Sequence, residues 1–149
     1  MENIKIVYVD DGNIKDAAYI HSVSWRASHG FCPEDFIKLH TPERQEAYLR
    51  KKTDGGSKVY MLVAEGEPAG IVSIKDCLIE DLYVLPEKQG NGFGGELLRF
   101  AVGKCDGAPT LWILENNSGA ERLYRRLGFK RTGRVKSAAG MLDEIEFSL

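Results

Sequence analysis

The chain has 149 residues, 43% of them hydrophobic, with a formal net charge of −2. That length suits one domain, residues 1–149, with a real core. There is no basic excess of the kind that nucleic acid selects and no apolar run long enough to cross a bilayer, so neither is an expected partner.

Ile4, Ile6 and Tyr8 lie in a first strand, about Lys5–Val9, broken by Asp11-Gly12-Asn13. A helix follows over about Ile14–Ser28 and ends at Gly30. Pro33 starts a second helical piece reaching Leu39. Thr41-Pro42 has the form of an N-cap followed by proline at the first helical position, opening Glu43–Lys52. Lys58–Glu65 and Ala69–Lys75 read as an antiparallel pair around Gly66-Glu67-Pro68. Leu78–Leu85 is the next strand. With strict alternation, Leu78, Glu80, Leu82 and Val84 share one face and Ile79, Asp81, Tyr83 and Leu85 the other. Phe93 to about Lys104 is a helix with Leu97, Leu98, Ala101 and Val102 at helical spacing. Thr110–Leu114 suits a buried parallel strand. Ser118-x-x-Glu121 is expected to be a capping box for a helix to Leu127, ended by Gly128. Phe129–Arg134 and Met141–Leu149 close the chain as a hairpin around Ser137-Ala138-Ala139-Gly140. The expected class is α/β (α+β in strict terms), a mixed sheet flanked by helices in the order βααββββαβαββ, with parallel central strands.

Cys32, Cys77 and Cys105 are far apart and odd in number. That fits free thiols in a reducing cytoplasm rather than a disulfide framework or a zinc site. Met1–Lys5 shows no basic region followed by an apolar run, so no signal peptide is expected.

The stretch from Glu80 to Leu98 carries the chemistry. A strand runs through Gln89-Gly90-Asn91-Gly92-Phe93-Gly94-Gly95 into a helix. Glycines let consecutive N–H groups turn toward one point, and a helix start favours an anion there, a phosphate or pyrophosphate. A P-loop would close with Lys-Ser/Thr, but Gly95 is followed by Glu96-Leu97-Leu98. Gly90, Gly92 and Gly95 match a dinucleotide fingerprint, with Glu115 about 20 residues on. However, Pro86–Gln89 separates them from the strand, and too few βα units follow.

Gln89-x-x-Gly92-x-Gly94, after a strand ending in Val84-x-Pro86, resembles the acetyl-coenzyme A signature of the GNAT superfamily of N-acetyltransferases. Asn117-x-x-Ala120-x-x-x-Tyr124-x-x-x-Gly128-Phe129 resembles that family's next block at the expected distance. The resemblance covers Ile79 to Phe129, and implies a central parallel pair that splays apart and acetyl-CoA as co-substrate, without a metal. It implies that Gln89, Gly90, Asn91, Gly92, Phe93, Gly94 and Gly95 cradle the pyrophosphate, mostly through backbone. Leu82, Tyr83 and Val84 would meet the acyl arm, with an N–H near Val84 on the acetyl carbonyl. Asn117 would meet the pantetheine arm, its bland alternative being a helix cap that Ser118 could equally provide, and Ala120 would also contact the coenzyme.

Transfer to an amine needs a neutral nucleophile, an oxyanion donor and a proton for the leaving thiolate. By the resemblance, Tyr124 is the general acid at the sulfur; its bland alternative is a packing tyrosine. Glu80 is the first candidate base, since spermidine/spermine acetyltransferases carry a similar Glu-Asp pair with the Glu assigned to proton removal. Asp81, or a water chain that Glu80 merely polarises, is the fallback. Cys105, at a helix end, is unsuited to nucleophilic catalysis because the dipole raises its pKa. Trp25, His29 and Phe31, in the region that walls the acceptor pocket in relatives, are weaker substrate-contact candidates. The resemblance implies direct transfer in a ternary complex to a small amine, a protein N-terminus or a lysine. Dimers are frequent among such proteins, so a homodimer is entertained. The rival class is a non-catalytic acyl-CoA-binding or sensor domain, which could dispense with Tyr124.

Overall fold

The computed structural model describes residues 3–138 and 142–149. In chain order the elements are β1 (Ile4–Tyr8), α1 (Ile14–Ser28), α2 (Glu34–Lys38), α3 (Pro42–Asp54), β2 (Lys58–Ala64), β3 (Glu67–Lys75) and β4 (Leu78–Val84). A 3-10 turn (Pro86–Lys88) leads to α4 (Phe93–Gly103), β5 (Thr110–Leu114), α5 (Ser118–Arg126), β6 (Lys130–Ala138) and β7 (Leu142–Ser148). The order is therefore βαααβββαβαββ, as the elements read one by one along the chain give it; the expected order βααββββαβαββ has one helix fewer and one strand more before the glycine loop. Part of the expected closing turn, residues 139–141, lies outside the described residues.

The strands form one seven-stranded sheet in the order β1-β2-β3-β4-β5-β7-β6. Among the described residues only β4 and β5 pair in parallel, through Leu78↔Thr110 and Ile79↔Leu111. Beyond Ile79 the pair splays, leaving a gap in the middle of the sheet. α4 and α5 cover one face, where Leu62, Val72, Leu97, Leu98, Phe129 and Phe147 pack. α1 and α3 cover the other, over Ile14, Ala17, Ile20, Leu49, Met61 and Ile71. The alternation of Met61 with Leu62, and of Ile71 with Val72, sends neighbouring side chains into opposite cores. At Gly70 an added Cβ would lie 2.8 Å from Leu97 and 2.9 Å from the Tyr83 carbonyl oxygen, so α4 sits directly on this strand.

Helix starts follow local chemistry. Thr41 caps α3 by accepting from the Arg44 N–H at 3.3 Å, with Pro42 at the first position. At α5 the cap is Asn117, whose Oδ1 accepts from the Ala120 N–H at 3.1 Å; the expected Ser118 capping box does not form.

β4 departs from strict alternation. Ser73 pairs with Glu80 and Ile71 with Tyr83, so Val72 faces two residues, Asp81 and Leu82. This is a bulge, and Asp81 occupies the left-handed region at φ 52°. Its consequence is a change of face. Leu82 and Val84 join the α4–α5 core with Ile79, whereas Tyr83 joins the α1–α3 core. Glu80 does not share a face with Leu82 and Val84: it meets Lys52 of α3.

The cysteines are distant in sequence but not all in space. Cys77, at the β3–β4 turn, and Cys105, just past α4, are neighbours; the Cys77 thiol donates to Asp106 at 3.6 Å and the Cys105 thiol to the Ala101 carbonyl at 3.4 Å. The Cys105 thiol is pushed up to about 11, first by burial and then by Cys77; the helix dipole is not the main cause. Among the described residues no helix is long and apolar enough to cross a membrane, and no group of three or more His, Cys, Asp or Glu could hold a metal ion.

Candidate active site

The splay of β4 from β5 opens a cleft of about 1120 Å³. β4 supplies Glu80 through Val84, the glycine loop closes one end, and α5 contributes Asn117, Ala120 and Tyr124. Trp25, His29 and Phe31 line the α1–α2 side. The cleft thus gathers all the candidate residues except Asn91, whose side chain instead donates to the carbonyls of Lys88 (2.9 Å) and Gln89 (3.4 Å). Gln89 donates in turn to the Val84 carbonyl at 3.1 Å. Lys88, just before the glycine loop, pairs with Glu67 at 3.2 Å.

The glycine loop has the conformation that an anion cradle requires. Gly90 and Gly92 both stand at φ 82°, and Gly92 is the N-cap of α4. A Cβ at Gly92 would meet nothing within 4 Å, so glycine is needed there for its backbone angle, not for space. At Gly94 the limit is packing: a Cβ would lie 3.3 Å from Leu123. The Phe93 side chain is buried in the core, leaving its N–H as the group that can face the cleft. The intrahelical bonds of α4 begin at Glu96, which donates to the Gly92 carbonyl at 3.1 Å. The first N–H groups of α4 therefore remain for a ligand.

The Leu85 N–H donates to Ala69 at 2.9 Å. The pleat turns the Val84 N–H the opposite way, into the gap beside β5. Tyr124 reaches the cleft from α5 and is only 7% exposed. Its hydroxyl has no hydrogen-bond partner among the described residues. Burial raises its pKa, so it stays protonated and remains a donor at neutral pH.

Glu80 and Asp81 are adjacent but unlike. The Glu80 side chain is 43% exposed and bonds Lys52 Nζ at 2.7 Å; the Asp81 side chain is 10% exposed. Asp81 accepts from Lys52 (2.7 Å), Ser73 (3.0 Å) and Tyr48 (3.1 Å), and bonds His21 Nε2 at 3.0 Å. Burial alone would raise its pKa, but the His21 bond and the Lys52 charge outweigh burial and hold the carboxyl well below the usual range. A carboxylate so engaged is a poor proton acceptor, which disfavours Asp81 as the fallback base.

Lys52, Tyr48 and Gln45 were not legible as site residues. Their signal was a polar stripe at i, i+3 and i+7 on α3, turned inward. Gln45 bonds His21 Nδ1 at 2.7 Å. Ser24 was also missed: its buried hydroxyl, on the cleft wall, has no partner among the described residues.

This cluster predicts a pH dependence of stability. The folded pKa of Asp81 lies below the ordinary ~3.9 of an unfolded carboxyl. Its contribution is therefore complete well above that value and is lost as pH falls through the acid range. Asp81→Asn should cost roughly 3–5 kcal/mol at neutral pH by stranding Lys52, nearer the lower figure because Glu80 still pairs with it. Urea unfolding of both proteins should show the gap narrowing by about pH 2.5. An equal gap at both pH values would contradict this role.

The comparisons agree on one family. Residues 8–143 match the Acetyltransferase (GNAT) domain model. A Mycobacterium tuberculosis protein named as a probable N-acetyltransferase is 26% identical over 145 residues, spanning 89% of this chain and 83% of that protein. Among solved structures, the apo form of YjaB from Escherichia coli superposes with a TM-score of 0.78 at 21% identity, over 98% of this chain and 97% of that one. The yncA protein of Salmonella typhimurium, solved with its cofactor acetyl-CoA, gives a TM-score of 0.72 at 20% identity, over 99% and 93%.

Proposed function

The chain belongs to the GNAT acetyltransferase family, and we propose that it moves an acetyl group from acetyl-CoA directly to a primary amine, with residues 1–149 acting as one catalytic domain. The observation that carries this reading is the splayed β4–β5 cleft, with a glycine-capped helix start at one end and the Tyr124 hydroxyl in its wall. The free N–H groups of Phe93, Gly94 and Gly95 fit a pyrophosphate, with Gly90 and Gly92 shaping the turn and Gln89 and Asn91 bracing it.

Acetyl-CoA supplies an activated thioester carbonyl. The amine nitrogen forms the new C–N bond, the C–S bond breaks, and the sulfur leaves as a thiol. The Val84 N–H meets the negative charge developing on the carbonyl oxygen. Tyr124 donates the proton to sulfur. Glu80, the more exposed carboxylate, takes the amine proton directly or through water, with Lys52 fixing its position. Leu82, Tyr83, Asn117 and Ala120 flank the acyl and pantetheine arms, while Trp25, His29 and Phe31 face the acceptor. A sensor domain would need the glycine loop but has no use for an unpaired hydroxyl donor in the cleft wall, which is why the enzyme reading is preferred.

A thiol-release assay across small amines, a lysine peptide and a free protein N-terminus tests the proposal. At least one acceptor should release thiol well above the no-acceptor rate; binding without release would favour the sensor. Glu80→Gln should lower turnover and move the acidic limb of the pH–rate profile, with little change in acetyl-CoA affinity. Normal turnover with an unmoved limb would assign proton removal to solvent.

A further inference from the structure

A second chamber of about 420 Å³ opens between α1, α2, α3 and β4. Trp25, Phe36, Asp81 and Tyr83 border both this chamber and the main cleft, so the two spaces adjoin. Trp25 is the partition: it stacks on His29 at 3.9 Å and on His40 at 3.4 Å. His29 lines the cleft and His40 lines the chamber. Around the chamber, Phe36 lies 5.7 Å from Trp25 and 5.1 Å from His40. His21 touches Tyr48 at 5.2 Å and Tyr83 at 5.0 Å. Such walls suit a flat apolar ring.

The carboxylate and the His21 ring nitrogens within the chamber are already engaged. Asp81 holds Lys52, Ser73, Tyr48 and His21, and both His21 nitrogens are taken, one by Asp81 and one by Gln45. A ligand cation finds no free carboxylate there. Arg44 differs. It is exposed, lines the chamber, and pairs with no carboxylate among the described residues. It lies in the first turn of α3, whose positive end adds to its charge. The chamber therefore favours an anion beside a ring and disfavours a polyamine.

Resting on the acetyltransferase reading, we infer that this chamber seats the body of the acceptor: a primary amine carried on a planar ring that bears an anionic group at its far end. The amine lies in the shared region near Glu80, the ring in the aromatic chamber, and the anion at Arg44. Charge-assisted pairing with a guanidinium is strong enough to rank acceptors.

The test compares 4-(2-aminoethyl)benzoate with 2-phenylethylamine, spermidine and an N-blocked lysine peptide. The benzoate should give the highest kcat/KM, about tenfold above phenylethylamine. In Arg44→Gln that ratio should collapse toward one, through KM rather than kcat. A second readout avoids turnover. 4-Ethylbenzoate, which lacks the amine, should bind the coenzyme A-loaded protein by calorimetry and should bind Arg44→Gln much more weakly. Equal rates for both ring amines, preference for spermidine or the peptide, or no transfer to the benzoate by a protein that binds acetyl-CoA would overturn the inference. If other amines are acetylated, that failure leaves the acetyltransferase reading standing. If acetyl-CoA itself does not bind, the broader reading fails first and this inference with it.

Discussion

Tyr124→Phe should slow the chemical step by about 10²–10⁴-fold, the range for loss of a positioned general acid. The substitution keeps the ring, which packs near Phe129 (centroids 6.1 Å apart) and Phe147 (6.4 Å), and removes only the hydroxyl. Because that hydroxyl has no hydrogen bond among the described residues, its loss strands no partner. Melting temperature and coenzyme affinity should stay nearly unchanged. Burial holds the phenol protonated, so the wild-type group is a donor throughout the neutral range. Single-turnover measurement with a working acceptor isolates the step. Wild-type rates in the variant would make Tyr124 a packing residue and pass its role to water or the ammonium product.

Gly92→Val should abolish acetyl-CoA binding in a protein that still folds. At φ 82° a β-branched residue carries roughly 1–3 kcal/mol of strain. It can relieve that strain only by rotating the peptide that starts α4, which turns the cradle N–H groups away. The combined loss should reach at least ~100-fold in affinity, since each tenfold corresponds to about 1.4 kcal/mol. Gly94→Val should act in the same direction by a different route, pressing Leu123 and shifting the helix start. Calorimetry on folded variants decides the matter; unchanged affinity would remove the phosphate assignment from this loop.

The geometry of the candidate site was legible where chemistry is local. The glycine loop, the Thr41-Pro42 start and the Asn117-to-Phe129 block are short-range patterns whose geometry follows from residue type. Long-range effects were not legible. Alternation placed Glu80 beside Leu82 and Val84, but the bulge at Asp81 separates them. An aspartate can occupy the left-handed region, yet nothing in Glu-Asp-Leu requires it to do so. The reason lies across space, where His21, Tyr48, Lys52 and Ser73 converge on that carboxylate from two helices and a strand. The Ser118 capping box failed for a smaller reason: the helix starts one residue earlier, with Asn117 as its N-cap, and the Glu121 N–H that a Ser118 cap would need goes to the Asn117 carbonyl at 3.1 Å. Likewise, spacing along the chain hid the contact between Cys77 and Cys105, which the sheet and α4 bring together.

The most direct test of direct transfer in this cleft is a rapid-quench single turnover with isotopically labelled acetyl-CoA and the best acceptor from the amine panel. Labelled amide and free coenzyme thiol should appear together, in equal amounts and in one phase, with no label on the intact protein. Thiol appearing ahead of the amide with an acetylated protein, or thiol with no amide, would contradict the account.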